Sequence, residues 1–232
     1  MPKTFLRFAG EFFILKHSQT TEPVNQIFAN MANSISTASA EMSEQLHAAE
    51  SFTVPLEQRT DVTVDELEKL ALPFPAELYD GKVVFKMPGF AHAVIQNNIG
   101  TEIGIYLKSN PIGLVGGDAN YRLWPERKRE SRAPDVSFVL KDRLPENLHR
   151  YLPIVPDLAV EILSPDDSFE DVMEKVDEYL AQGVKLVWVV ITRTREVLVC
   201  NKQSKYGVRD KLTAPELLPG FELPVQGIFA GL

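Results

Sequence analysis

The octet VKLVWVVI, residues 184–191, constrains the fold more than any other stretch. Apart from Lys185 every residue is apolar, and four of the eight are valine. A β-branched run of this length reads as a strand. It has no polar face to offer water, so it predicts a central strand covered on both sides. It is far too short to cross a bilayer, and no other apolar run in the chain is longer.

The segments around it predict what does the covering. AHAVIQNNIGTEIGIYLKSN, 91–110, spaces Val94, Ile95, Ile99, Ile103 and Leu107 as one helix face. SFEDVMEKVDEYLAQG, 168–183, is the clearest helix: Ser168 caps it, acidic residues fill its first turn and Gly183 stops it. Its buried stripe is expected to be Phe169, Val172, Met173, Val176, Tyr179 and Leu180. Thr63 and Glu66 form a capping box that starts a short helix within 63–73. YDGKVVFKM (79–87), GLVGGDANYRLW (113–124), APDVSFVL (133–140), DLAVEILS (157–164) and REVLVCN (195–201) are strand candidates. The tail LLPGFELPVQGIFAGL, 217–232, is broken by Pro and Gly and packs through its apolar residues. The sum is an α/β fold, a mixed central β-sheet flanked by helices.

Residues 1–60 differ. They are rich in Ser, Thr, Ala, Asn and Gln, and are expected to form a weakly structured extension with at most one helix near 36–49. The compact domain is expected over 61–232. FLRFAGEFFILK near the start is interrupted by Arg7 and Glu11 and does not read as a signal peptide. A net charge of −8 argues against coating nucleic acid or anionic membrane without specificity. The single cysteine, Cys200, excludes an internal disulfide framework and a multi-cysteine metal site, and suits a reducing cytoplasmic interior. Nothing indicates a membrane partner, and a homodimer is left open.

Two carboxylates carry the chemistry. In DLAVEILS, Leu158, Val160 and Ile162 share one face, which leaves Glu161 on the other, where burial is costly unless something pairs with it. Asp135 follows Pro134 at the start of the preceding strand candidate. If the two strands are neighbours, Glu161 and Asp135 meet at one end of the sheet. Like charges that close need a cation or a proton between them. A hard divalent ion such as Mg²⁺ (or Mn²⁺) is a natural occupant, leaving room for a phosphate and a nucleophilic water. The plainer readings are a strand-opening Pro-Asp and a glutamate that reaches solvent or an arginine.

The ordered set RAPDVSFV, PDLAVEILSPDD and KVDEYLAQGVKLVWVV, with LYDGKVV (78–84), HAVIQNNIGTEI (92–103) and LLPGFELPVQGIF (217–229), resembles the Uma-two family of restriction-endonuclease-like proteins in the PD-(D/E)xK nuclease superfamily. The resemblance covers about 63–232. It implies a restriction-endonuclease-like core, with Asp135 and Glu161 as the metal-binding pair of a DNA-cleaving hydrolase. It suggests Glu77, in AELYDG, as the helix-end acid that sometimes completes such sites; the plainer reading is a solvent-facing loop carboxylate. The superfamily lysine would stand at 163, where this chain has Leu163. The resemblance places its substitute on the following helix at Lys175, on the flank of the buried stripe beside Tyr179. The family's Asp-Pro after the tryptophan strand is absent here, where the chain reads ITRTRE.

YRLWPERKRESR, 121–132, brings Arg122, Arg127, Lys128, Arg129 and Arg132 just ahead of Asp135, as candidate DNA contacts or as a solvated hairpin loop. His92 opens its helix and is expected to cap or pack there, with a site residue as the alternative reading. Because Leu163 replaces the lysine, an alternative to the nuclease is an inactive nuclease-fold module that binds nucleic acid or a protein partner.

Overall fold

The computed structural model describes residues 5–8, 11–14, 54–165 and 167–232. The chain divides into two compact units, Met1–Thr53 and Val54–Leu232. In the first, β1 (Phe5–Phe8) and β2 (Glu11–Ile14) pair antiparallel. The helix expected near 36–49 lies outside the described residues.

The second unit opens with α1 (Val64–Leu67), whose Thr63 cap accepts from the Glu66 N–H at 3.2 Å. It is one turn long, shorter than 63–73. A hairpin follows, β3 (Ala76–Tyr79) and β4 (Lys82–Phe85), turning at Asp80 and Gly81, both at positive φ. Then come α2 (Phe90–Ser109), β5 (Gly113–Gly117), β6 (Val136–Leu140), β7 (Leu158–Leu163), α3 (Phe169–Gln182), β8 (Leu186–Ile191), β9 (Glu196–Cys200) and β10 (Lys205–Val208). A second hairpin, β11 (Lys211–Ala214) and β12 (Leu218–Pro224), leads into the short α4 (Val225–Ile228).

Six strands form one sheet in the order β10-β9-β8-β7-β6-β5. Only β7 and β8 run parallel, joined by α3 as their crossover; the other pairs are antiparallel. The apolar octet is interior to the sheet, as its two-sided pattern predicts. Trp188 and Val190 face one core, and Val187 and Val189 the other. On the first face α2 buries Ile95, Ile99, Ile103 and Leu107 against Val136, Phe138, Leu158, Val160 and Ile162. Each fully buried side chain of that size contributes on the order of 1.5–3 kcal/mol. The tail packs on the same face through Leu218, Phe221, Leu223, Val225, Ile228 and Phe229. On the other face α3 buries Val176, Tyr179 and Leu180 over Ala159, Val187 and Val189.

Gly183 ends α3 at φ 104°, and Ser168 starts it by accepting from the Asp171 N–H. Phe169, expected in the buried stripe, is half exposed, because it precedes the first turn that reaches the sheet. At the β5 edge, a Cβ on Gly113 would run into the Val139 carbonyl and the Phe138 ring, so the strands close only over glycine. The expected strand 113–124 stops at Gly117, where Asp118 takes φ 49° and turns the chain away. Tyr121 and Arg132 then exchange backbone hydrogen bonds and close the loop between them.

Candidate active site

The β6–β7 register pairs Val136 with Val160 and Ser137 with Ala159. Continued by one residue, it sets Asp135 opposite Glu161. Cross-strand partners share a face, and this is the α3 face, since Val136 and Val160 point to the α2 side. The Pro-Asp bend also lets Asp135 Oδ2 accept the Ile162 N–H at 2.7 Å, which fixes its carboxylate across the strand end. Asp135, Glu161 and Glu77 are 2%, 5% and 3% exposed. All three line one cleft of about 610 Å³, together with Lys86, His92, Ser164 and Lys175.

Lys175 is delivered from α3 as expected. Its Nζ lies 3.1 Å from Glu161 Oε2 and 3.0 Å from Glu77 Oε2. Tyr179, one turn on, donates to Glu161 Oε1 at 2.7 Å. Glu77 is not at a helix end: it lies inside β3, where Ala76, Glu77 and Leu78 are all buried. Its Oε1 accepts the Ala133 N–H at 2.8 Å, and its Oε2 accepts the Tyr79 hydroxyl at 2.8 Å. Buried Tyr179 and half-buried Tyr79 thus each spend their hydroxyl on a carboxylate.

Asp135 has its own ammonium. Lys86, just past β4, donates to Asp135 Oδ1 at 2.5 Å and to the Ala133 carbonyl at 2.7 Å. It also pairs with Asp118 Oδ1 at 3.0 Å. His92 contacts Ser164 Oγ through Nδ1 at 3.1 Å. Its Nε2 stands 3.3 Å from Asp135 Oδ1 but off hydrogen-bond geometry, buried without another partner. His92 is therefore a cleft residue rather than a cap; Gly89 takes the cap position.

The charge states follow from these contacts. Burial would raise the Asp135 carboxyl, but His92 and Lys86 outweigh it and hold it well below the carboxylate range. Glu77 is likewise held low, as Lys175 and Lys86 overcome its burial. Glu161 goes the other way. Burial pushes it up; Lys175 opposes, and Asp135 adds to the push. Burial alone would lower Lys175, yet Glu161 and Glu77 keep it well above the ordinary lysine range. With both carboxylates beside it and no metal bound, Lys175 is held as an ammonium.

Among the described residues no three His, Cys, Asp or Glu side chains stand together as a ready metal cage. The donor set still fits a hard ion. Three buried carboxylates face two ammonium groups, and the imbalance falls on Glu161, whose carboxyl is pushed up. Magnesium commonly takes one or two carboxylates and keeps waters elsewhere, so Asp135 and Glu161 with an open cleft suffice.

The basic loop does not behave as one patch. Arg132 is 2% exposed, stacked 3.8 Å from the Tyr79 ring centroid and bound by Glu178 and Glu130. It is a core residue that ties the loop to α3, not a surface cation. Arg122 is taken up by Asp65 and Glu68. Arg127, Lys128 and Arg129 are exposed, with Arg129 against Asp80.

A family model described as "Putative restriction endonuclease", Uma2, matches residues 64–226. The chain belongs to that family. A solved structure titled "putative nuclease belonging to DUF820 from Anabaena variabilis ATCC 29413" is similar in fold, with a TM-score of 0.62 and 24% identity over 73% of this chain and 98% of that one. No curated protein matches the chain. In this chain the lysine beside Glu161 and Glu77 stands on α3, and Leu163 stands on β7. Among the described residues no helix is long and apolar enough to cross a membrane.

Proposed function

We propose that this Uma2-family protein is a metal-dependent endonuclease that hydrolyses DNA phosphodiester bonds. The observation that carries the reading is the placement of the Lys175 ammonium against both Glu161 and Glu77, beside a cleft that Asp135 also faces. The helix makes good the lysine missing at Leu163.

Asp135 and Glu161 would hold Mg²⁺ or Mn²⁺. Bound there, such an ion supplies Lewis-acid polarisation of a phosphoryl oxygen and a hydroxide at neutral pH. The chain supplies the rest. Tyr179 and Lys175 fix the two oxygens of Glu161, and the Ile162 N–H fixes one oxygen of Asp135. Lys175 orients or deprotonates the attacking water, or offsets charge growing on the phosphate. Glu77 holds that ammonium in place. Exposed Arg127, Lys128 and Arg129 are the remaining candidates for phosphate contacts, since Arg122 and Arg132 are committed elsewhere.

One observation favours the second reading, an inactive module that binds nucleic acid or a protein. Asp167, Asp171 and Glu174 line the cleft's rim, giving an acidic mouth that repels a phosphate backbone unless cations occupy it. Cleavage assays with Mg²⁺ or Mn²⁺ separate the two, comparing the natural chain with Asp135→Ala and Glu161→Ala. The nuclease reading expects metal-dependent cleavage abolished by either substitution; cleavage that survives both overturns it. Binding without any cleavage supports the module.

A further inference from the structure

Lys86 is absorbed neither by the sequence motifs nor by the roles given above. Its ammonium has three N–H bonds and meets three oxygens: Asp135 Oδ1 at 2.5 Å, the Ala133 carbonyl at 2.7 Å and Asp118 Oδ1 at 3.0 Å. Those oxygens are held by more than the lysine. Gln96 Nε2 donates to Asp118 Oδ2 at 2.6 Å and to the Asp135 carbonyl at 2.8 Å, locking the two residues together. Asp118 also adopts φ 49°, a left-handed backbone that aspartate accepts more readily than most residues. Lys86 and Asp135 both line the cleft, so the cage opens onto the site and shares a carboxylate with it.

Two-metal phosphodiesterases set a second divalent ion a few ångströms from the first and let the pair straddle the reacting phosphate. We propose that Lys86 is a tethered substitute for that second ion. The oxygen cage of Asp118, Asp135 and the Ala133 carbonyl is a cation position permanently filled by an ammonium, and the protein takes up one divalent ion rather than two. An ammonium tethered to the chain cannot leave with product, and it places a positive charge on the Asp135 side of the phosphate. Lys175 stands on the Glu161 side. A reaction centre of one exchangeable ion between two lysines follows. The count of one rests on the divalent-ion reading above, whereas the cage itself does not.

The experiment counts Mn²⁺ bound per full-length chain by calorimetry, with electron paramagnetic resonance as a second readout. The natural chain is expected to bind one ion. Lys86→Ala, by vacating the cage, is expected to bind one more than the natural chain, and Lys86→Ala with Asp118→Ala to lose that added ion. Asp118→Asn alone is expected to leave the natural count unchanged. The proposal is overturned if Lys86→Ala adds no ion, if the added ion survives loss of Asp118, if the natural chain already binds two, or if Asp118→Asn abolishes the natural ion. A natural count of zero that rises to one in Lys86→Ala keeps the cage and sinks the divalent-ion reading at Asp135 and Glu161. If Lys86→Ala does not fold without metal, thermal melts with added Mn²⁺ decide. Recovery of a cooperative transition in that variant, but not with Asp118→Ala added, supports the cage; no recovery overturns it.

Discussion

Asp135 and Asp157 make an internal comparison. Each follows a proline, Pro134 or Pro156, at the start of one strand of the antiparallel β6–β7 pair, so they sit at opposite ends of it. Each carboxylate closes the far end of its partner strand. Asp135 Oδ2 accepts from Ile162, and Asp157 Oδ2 accepts from Leu140 at 2.9 Å. The local geometry is the same, so Pro-Asp is in itself a strand-end clamp. What differs is the surroundings. The register sets Glu161 opposite Asp135 but Val139 opposite Asp157. At the Asp157 end Arg143 and Lys185 arrive from the surface, 2.6 and 2.9 Å away, and no carboxylate is left in excess. At the Asp135 end the cations are buried and the carboxylates outnumber them. One end is finished as structure; the other keeps an unsatisfied charge facing a cleft.

The largest expected effect separates the two ends by what they lose. Asp135→Ala should reduce cleavage per folded molecule by at least about 10³-fold, the scale of removing a preorganised charge-stabilising group. Asp157→Ala should leave cleavage per folded molecule unchanged and cost stability. A buried pair broken from one side costs about 3–5 kcal/mol, which the partly exposed partners reduce to about 2–3 kcal/mol in urea unfolding. Asp157 also has a pH signature. Burial would raise its carboxyl, but the Leu140 N–H, Lys185 and Arg143 hold it below the ordinary range. Its contribution is therefore complete above that range and lost as pH falls through the folded value. The stability gap between the natural chain and Asp157→Asn should narrow on acidification below about pH 4. Equal losses of activity at both ends would dissolve the comparison.

Next in size is Lys175→Met, which should cost about 10²–10³-fold in turnover while leaving the fold intact, measured as cleavage and far-ultraviolet circular dichroism. Smaller again is Glu161→Gln in metal-free protein. Glu161 sits above the ordinary carboxylate range, so its ionised form costs stability once pH rises through the folded value. The amide escapes that cost. Glu161→Gln should gain stability relative to the natural chain as pH rises from about 4 to about 8, while cleavage is lost. Relative stability that does not rise over this range would mean that the site carries no excess charge and resembles the Asp157 end after all.

Much of this was legible in residues whose neighbours are close in sequence or fixed by a period. The two-sided apolar pattern of 184–191 located the interior strand, and alternation in LAVEIL set Glu161 off the apolar face. Helical phase placed Lys175 on the flank of α3, within reach of the strand end. The same phase put Tyr179 inside, and a buried hydroxyl needing a partner was the available clue to its bond with Glu161. What escaped depends on contacts across long stretches of chain. Lys86 reads as a solvated lysine after a hairpin strand until Ala133 and Asp135 arrive 47 and 49 residues later. Asp118 needs a backbone angle that no spacing encodes. Arg132 sits in a charge run in which Arg127, Lys128 and Arg129 reach water. Only the packing of Tyr79 and Trp124 around it makes it a core residue.

The smallest expected effect asks whether the lysine's origin matters. Leu163 is two residues past Glu161 on β7, so its side chain points to the same face, and it is only half-buried. A lysine there would approach the Glu161 carboxylate along the strand, whereas Lys175 approaches from the helix. In a Lys175→Met background, Leu163→Lys should return on the order of tenfold of the lost turnover, because a positive charge is restored near the same oxygens. Full recovery is not expected, since Lys175 also binds Glu77, which belongs to another strand and gives the ammonium its second anchor. The measurement is single-turnover cleavage by the double variant against Lys175→Met alone. If the two are equal, charge near Glu161 is not enough and the bridge to Glu77 is the essential feature. The active end of the β6–β7 pair would then differ from the Asp157 end through the geometry of that bridge rather than through its charge.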